Sequence, residues 1–273
     1  MSRLSNETVH VWLHPERVVL ARVAGRFSPR LMFRHEERVV PQAGSVTGAI
    51  LVALENALQD KRWHAAGAKV LFSNTLVRYA VIPASDHIFT AADETELARL
   101  RFLQVYGGTE SLEVRLGNLL SGCDQISAAL ERGFLLGLAQ ILKSAVLVAS
   151  LMEPLFMRAF NRARRHIVAR DFWFAQAEPG LLMLAHKRGQ NWASLAAIPF
   201  KTPLSGMLPA KMLEAKLLVG PAGIASHLYL YAPGMDCSGC DCGSDFNLVD
   251  LAGLKAMRPG AADPVLCAAG AAA

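Results

Sequence analysis

Several chemistries are missing from this sequence before any fold is considered. It has no Gly-x-x-x-x-Gly-Lys-Ser/Thr phosphate loop and no Gly-x-Gly-x-x-Gly dinucleotide turn. Gly107-Gly108 is not followed by Lys-Ser/Thr and reads as a helix stop. There is no Gly-x-Ser-x-Gly nucleophile elbow, and none of the eight histidines sits in a nucleophile motif with Cys or Ser. His35-Glu36-Glu37 lies on a predicted strand, where neighbours face opposite ways and cannot converge on one metal. Aromatic residues make up 7% of the chain. The most basic stretch, "RAFNRARRHIVAR", lacks the interleaved aromatics of a base-stacking platform, so no nucleic-acid partner is expected. The polar start, "MSRLSNETVH", is not a secretory signal. Residues 134–152 are apolar enough to suggest a membrane span, but Gln140, Lys143 and Ser144 fall at its centre, so a helix followed by a buried strand is expected instead.

The chain has 273 residues, 52% hydrophobic and 19% charged. That composition suits an ordered globular protein with a sizeable core. The net charge of +5 favours acidic surfaces. Arg158, Arg162 and Arg165 recur at i, i+4, i+7 and predict one basic helix face, either solvated or in contact with acidic lipid head groups or an acidic partner.

Periodicity predicts three strands in the first forty residues: "TVHVWL", "RVVLARV" after the turn His14-Pro15-Glu16, and a half-buried "RLMFRHEERVV". A helix capped by Ser45 follows, with Ile50, Leu54 and Leu58 on its apolar stripe, and then a buried strand, Ala68–Asn74. The same β-β-β-α-β order returns in "DFWFAQA", "LLMLAHKR", "NWASLAAIPF", "SGMLPAKMLEAKLLVG" and "SHLYLYAP", with Pro209 expected in the first turn of the helix. Hairpin prolines Pro15 and Pro179 are 164 residues apart, and the closing strands begin 158 apart, at Ala68 and Ser226. A near-constant offset marks an internal duplication, carried by pattern and not by residue identity. The predicted division is a first lobe (1–75), an inserted α+β subdomain (76–130), a connecting helix-strand-helix (131–170), a second lobe (171–251) and an Ala-rich tail (252–273).

A doubled β-β-β-α-β unit with an insert after its first copy resembles the actin-like ATPase fold, a duplicated α/β fold of ribonuclease H-like type. Over roughly residues 8–233 the order is similar to assembly proteins of type IV pili and type II secretion, the PilM-like proteins and the cytoplasmic domain of GspL. The stretches that carry the resemblance are "VASLMEPLFMRAFN" and "LFSNTLVRYAVIP". The resemblance implies a cytoplasmic protein at the inner membrane, holding the cytoplasmic tail of a membrane partner. Some such proteins bind ATP between two phosphate hairpins with small hydroxyl residues, glycines and a metal-holding Asp. Here the first hairpin reads Trp12-Leu13-His14-Pro15-Glu16-Arg17 and the second Ala175-Gln176-Ala177-Glu178-Pro179-Gly180. Neither has an Asp or a hydroxyl, Pro15 removes a donor, and Glu178 repels phosphate. Near the expected adenosine glycines, only Gly234 is present in Ala232-Pro233-Gly234. A degenerate nucleotide site and no cofactor are therefore expected.

Two other features carry chemistry. Cys237, Cys240 and Cys242 have spacings that suit a soft metal such as zinc, with Asp236, Asp241 or Cys267 as a fourth ligand. A reversible disulfide, or a Gly/Ser/Asp loop that merely contains cysteines, fits them too. In the insert, a helix capped by Asp93 (with Glu96 three residues on) places Leu97, Leu100 and Leu103 on one side and Arg99, Phe102 and Tyr106 partly on another. The second group is a candidate partner surface, or else Phe102 and Tyr106 complete the core. The leading expectation is a non-catalytic scaffold that recruits membrane partners through a groove between first lobe and insert. An ATP-binding assembly protein with atypical loops, and a metal- or redox-responsive regulator, are the alternatives.

Overall fold

The computed structural model describes residues 7–25, 30–41, 44–63, 67–85, 90–116, 122–219, 226–235, 237, 239–240, 242 and 245–251. In the first lobe, β1 (Glu7–His14), β2 (Arg17–Ala24) and β3 (Arg30–Arg38) form an antiparallel meander, followed by α1 (Val46–Leu58) and β4 (Gly67–Phe72). Ser45 caps α1, its hydroxyl accepting the Gly48 N–H at 3.3 Å, and Ile50, Leu54 and Leu58 are buried as their spacing requires. Strand β4 returns parallel to β1.

The insert comprises β5 (Arg78–Ile82), α2 (Ala91–Tyr106), β6 (Leu112–Leu116) and β7 (Gln125–Glu131), with the strands ordered β5-β7-β6. Then come α3 (Arg132–Ser144), β8 (Val148–Pro154) and α4 (Leu155–Ala163). The second lobe repeats the first with β9 (Asp171–Glu178), β10 (Leu181–Arg188), β11 (Asn191–Pro199), α5 (Leu204–Val219) and β12 (His227–Tyr231), and β12 lies parallel to β9.

The duplication extends one strand further than the sequence pattern shows. The sheets run β3-β2-β1-β4-β8 and β11-β10-β9-β12-β13, where β13 is Asn247–Asp250. Each ends in an extra strand parallel to the closing one. Strand β8, expected within the connector, is thus the fifth strand of the first lobe.

Other local expectations are corrected. Strand β3 is exposed on both faces, not half-buried, because it is the sheet edge with β2 as its one neighbour. Strand β8 is also an edge, half-exposed and not buried. Thr90, not Asp93, caps α2, and Asp93 is the reciprocal partner of its capping box. The line of α2 that meets the small three-stranded sheet is Ala98 and Phe102; Leu100 and Leu103 are exposed. Pro154 is the N-cap of α4. Pro209 lies beyond the first turn, inside α5. The expected basic face does not form: α4 stops at Ala163, and the half-buried Arg158 is paired with Glu153 at 3.0 Å. No helix among the described residues is long and apolar enough to cross a membrane.

Phe156, at the start of α4, is fully buried and meets the rings of Tyr79 from the insert and Phe174 and Trp192 from the second lobe, at 6.1, 5.5 and 6.3 Å. Its truncation opens a cavity where three parts of the chain meet. Phe156→Ala should lower unfolding free energy by about 3–5 kcal/mol. Denaturant melts check this against Met152→Ala at the exposed edge, which should change stability by less than about 1 kcal/mol.

Candidate functional site

The two hairpins that would face a nucleotide in this fold have their tips against each other. In the β1–β2 tip, His14 is buried and its Nδ1 accepts the Glu16 N–H at 3.2 Å. Its Nε2 faces the Pro179 carbonyl of the β9–β10 tip without a well-formed hydrogen bond. Burial, the largest influence, pushes the His14 imidazole down to about 4. Gly180 completes the second tip at φ +81°, a conformation that favours glycine.

Behind the tips, a polar cluster joins the lobes. Glu178, 2% exposed, reaches the turn after β4, where its Oε1 accepts the Asn74 N–H at 2.8 Å. The Ser73 hydroxyl and Thr75 N–H also support this carboxyl. The Asn74 side-chain amide donates to Gln176 Oε1. Its Oδ1 accepts the Tyr79 hydroxyl at 2.6 Å and the Phe156 N–H at 2.9 Å. One asparagine thus ties the first lobe to the second lobe, the insert and α4. His14, Gln176 and Glu178 fill the space between the hairpins, and the Asn74 N–H that could meet an anion already holds a carboxyl oxygen.

Burial, stronger than the opposing hydrogen bonds, pushes Glu178 up to about 7, and its Oε2 has no hydrogen-bond partner. Nearby Tyr79 is raised well above its ordinary range, by burial first and by Glu178 second.

A second feature is a groove of about 890 Å³. One wall is the end of β8 with Met157 and Phe160 of α4; the other is Arg115 and Leu116 of β6 with Ile126 and Ala128 of β7. The β10–β11 turn closes it, bringing Lys187 and Trp192. This turn is fastened to the insert: the Trp192 N–H donates to the Asp124 carbonyl at 3.2 Å, and the Asp124 N–H to Asn191 Oδ1 at 3.0 Å. Since β8 belongs to the first-lobe sheet, the groove lies between first lobe and insert, with the second lobe at its end.

The residues singled out from sequence lie elsewhere. Phe102 is fully enclosed in the insert core and cannot meet a partner, which corrects the reading of it as a contact residue. Tyr106 stacks on Phe102 at 5.7 Å, donates to the Tyr79 carbonyl at 2.8 Å and accepts the Tyr79 N–H at 3.2 Å, so it fastens α2 to β5. Arg99 is exposed, with Glu96 3.9 Å away. None of the three lines the groove. Cys237, Cys240 and Cys242 pack against the apolar core of the second lobe, and Cys240 N–H donates to the Cys237 carbonyl at 3.0 Å. Among the described residues no three His, Cys, Asp or Glu side chains are grouped as a metal site; Asp236, Asp241, Cys267 and the tail 252–273 lie outside them. Asn74 and the groove residues Lys187 and Trp192 were missed. The "SNT" turn after a buried strand was the available signal for Asn74, whereas groove membership has no local signal.

A carboxyl whose folded pKa is raised keeps its proton in the folded state, so its stability contribution is present below the unfolded value of 4.5 and lost as pH rises toward about 7. His14, with a lowered folded value, works in the opposite sense: its contribution is lost as pH falls from 6.5 toward about 4. Glu178→Gln removes only the first effect. Between about pH 5 and about pH 8 it should gain about 2–3 kcal/mol relative to wild type, read from denaturant melts at both pH values. A constant difference would show that the wild-type carboxyl does not titrate in that window.

No family model matches the chain, and no curated protein matches it in sequence. Solved structures do match. A Bacteroides thetaiotaomicron protein of actin-like ATPase fold and unknown function aligns with TM-score 0.56 at 10% identity, covering 87% of this chain and 86% of that one. A PilM-PilN type IV pilus biogenesis complex aligns at 0.60 and 13%, covering 89% and 88%. The cytoplasmic domain of EpsL, an inner-membrane component of the Vibrio cholerae type II secretion system, aligns at 0.53 and 11%, covering 83% and 82%. Identities this low speak for architecture alone. The chain has the actin-like ATPase fold.

Proposed function

We propose that this chain is a non-catalytic, actin-like scaffold of a type IV pilus or type II secretion-like assembly, and that its groove holds a cytoplasmic segment of an inner-membrane partner. The observation that carries the proposal is the contrast between the two clefts. The one that would take a nucleotide is occupied by His14, Gln176 and Glu178, whereas the one between first lobe and insert is open at about 890 Å³. That volume lies within the range of ligand-sized sites. Similarity to a protein found in complex with PilN, and to a domain of an inner-membrane secretion component, supports the setting. In this reading the protein sits in the cytoplasm against the inner membrane, makes and breaks no bond, and needs no nucleotide or metal.

Two measurements test it. Millimolar Mg-ATP should leave the melting temperature unchanged, whereas a ligand at about 100 times its dissociation constant adds about 2.7 kcal/mol and shifts the melt visibly. A shift would show that Glu178 and His14 yield to phosphate, and would favour the ATP-binding alternative. Secondly, a photo-crosslinking residue placed at Asn161 on the groove should capture the cytoplasmic segment of an inner-membrane protein in cells, and one placed at Gly206 on α5 should not. Equal capture at both positions, or none at Asn161, would overturn the groove assignment.

A further inference from the structure

Resting on the groove assignment, we propose that its occupant is an extended acidic peptide, with carboxylates flanking an apolar side chain. The charge inventory of the groove carries this. Arg115, Arg164, Arg170 and Lys187 line it, against the acids Asp124 and Glu153. Both acids are engaged by the protein: Asp124 Oδ1 accepts the Ala84 N–H at 2.7 Å, and Glu153 is paired with Arg158 at 3.0 Å. Arg115 has Glu113 at 3.0 Å. Arg164, Arg170 and Lys187 form no ion pair with a described acid. Lys187 is held in place without a countercharge, donating to the Gln190 carbonyl at 2.6 Å with its ammonium 4.9 Å from the Trp192 ring centroid. Burial lowers its pKa, and a nearby carboxylate would favour its charged form.

Between these cations the accessible surface is apolar, with the half-buried Leu151, Met157 and Phe160 backed by the core residues Ile126 and Phe172. A lone phosphate would satisfy the cations and leave this floor bare. A flat lipid surface would meet the rim cations without entering a groove walled by β6 and β7, α4 and the β10–β11 turn. A nucleobase would need an open aromatic face, but Lys187 covers Trp192 and the Phe160 ring stands against it at 4.8 Å. An extended peptide supplies both chemistries at alternating positions, since successive side chains point opposite ways.

The test is a selection of random dodecapeptides on the intact chain, followed by fluorescence anisotropy of the recovered peptides. Three proteins are compared: wild type, the charge reversal Arg164→Glu/Arg170→Glu, and Gln190→Trp, which narrows the groove at an exposed turn. Circular dichroism melts first establish that both variants fold. Expected are peptides rich in Asp and Glu around one apolar residue. They should bind about tenfold or more weakly to the charge reversal, lose affinity as salt rises, and fail on Gln190→Trp. Uncharged or basic peptides, lost on Gln190→Trp but indifferent to the charge reversal, would overturn the acidic occupant and leave the groove assignment standing. Peptides indifferent to both variants, or no enrichment at all, would overturn both. Binding of the wild type to phosphatidylglycerol vesicles that disappears in the charge reversal, with no peptide recovered, would assign these arginines to an anionic membrane surface and overturn the peptide.

Discussion

The assembly of this molecule depends on how the backbone N–H groups of the turn after β4 are satisfied. In a fold whose hairpins converge on one point, the donors at that point must meet an anion, water or another part of the chain. Here Glu178 crosses from the second lobe to take the Asn74 N–H, while Asn74 extends its own side chain to Gln176, Tyr79 and the Phe156 N–H in the first turn of α4. Four separate stretches of sequence become mutually dependent through one residue. A buried network of this kind is stabilising only when nearly complete, and the unpartnered Oε2 of Glu178 marks where it is incomplete. Burial, which outweighs the hydrogen bonds that the carboxyl does receive, raises its pKa to about 7. The same burial makes His14 resist protonation, so the centre of the molecule avoids charge of either sign.

Around this centre the apolar core supplies the bulk of the cohesion and the network supplies alignment. Phe156, Phe160, Phe172, Phe174 and Trp192 form one aromatic run from α4 into the second lobe. Ring contacts of this kind tolerate sliding, since offset and edge-on arrangements differ little in energy. The hydrogen bonds at Asn74 do not, because each is directional. Fixed together, they set where the β10–β11 turn meets the insert, and therefore where the groove ends.

What the sequence made legible was local or periodic. The hairpins, the Ser45 cap and the Ile50-Leu54-Leu58 stripe depend on neighbours within a turn or two. Duplication was readable because two copies of a pattern recur at one offset, and the fold followed from it. Failures began where a residue's environment is set by distant chain. Strand β8 looks like any apolar strand, and only its pairing with β4 makes it part of the first lobe. Four-residue β13 is too short to show a period. On α2 three leucines outnumber the one phenylalanine, yet the small sheet beneath covers a single line of the helix, and that line runs through Ala98 and Phe102. Glu178 was read as a residue that repels phosphate; that it turns inward to accept the Asn74 N–H is a fact of tertiary contact. The groove could not be found from any one segment, because β6, β7, β8, α4 and the β10–β11 turn each bring only a few residues to it.

The filled cleft and the open groove are mechanically related, because α4 belongs to both. Its Phe156 N–H is held by Asn74, and the next residue, Met157, together with Phe160 one turn on, lines the groove. A shift of the turn that carries Asn74 would therefore move this wall. On the proposed reading, the bond from Asn74 to Glu178 of the second hairpin holds that turn, and with it the wall, in place. A groove already in its binding shape spares a partner segment the entropy of ordering its receptor, and the segment's own ordering is then the main cost of association. On the proposed reading, occupying the old site with a side chain is therefore what turns a hinged nucleotide fold into a fixed receptor.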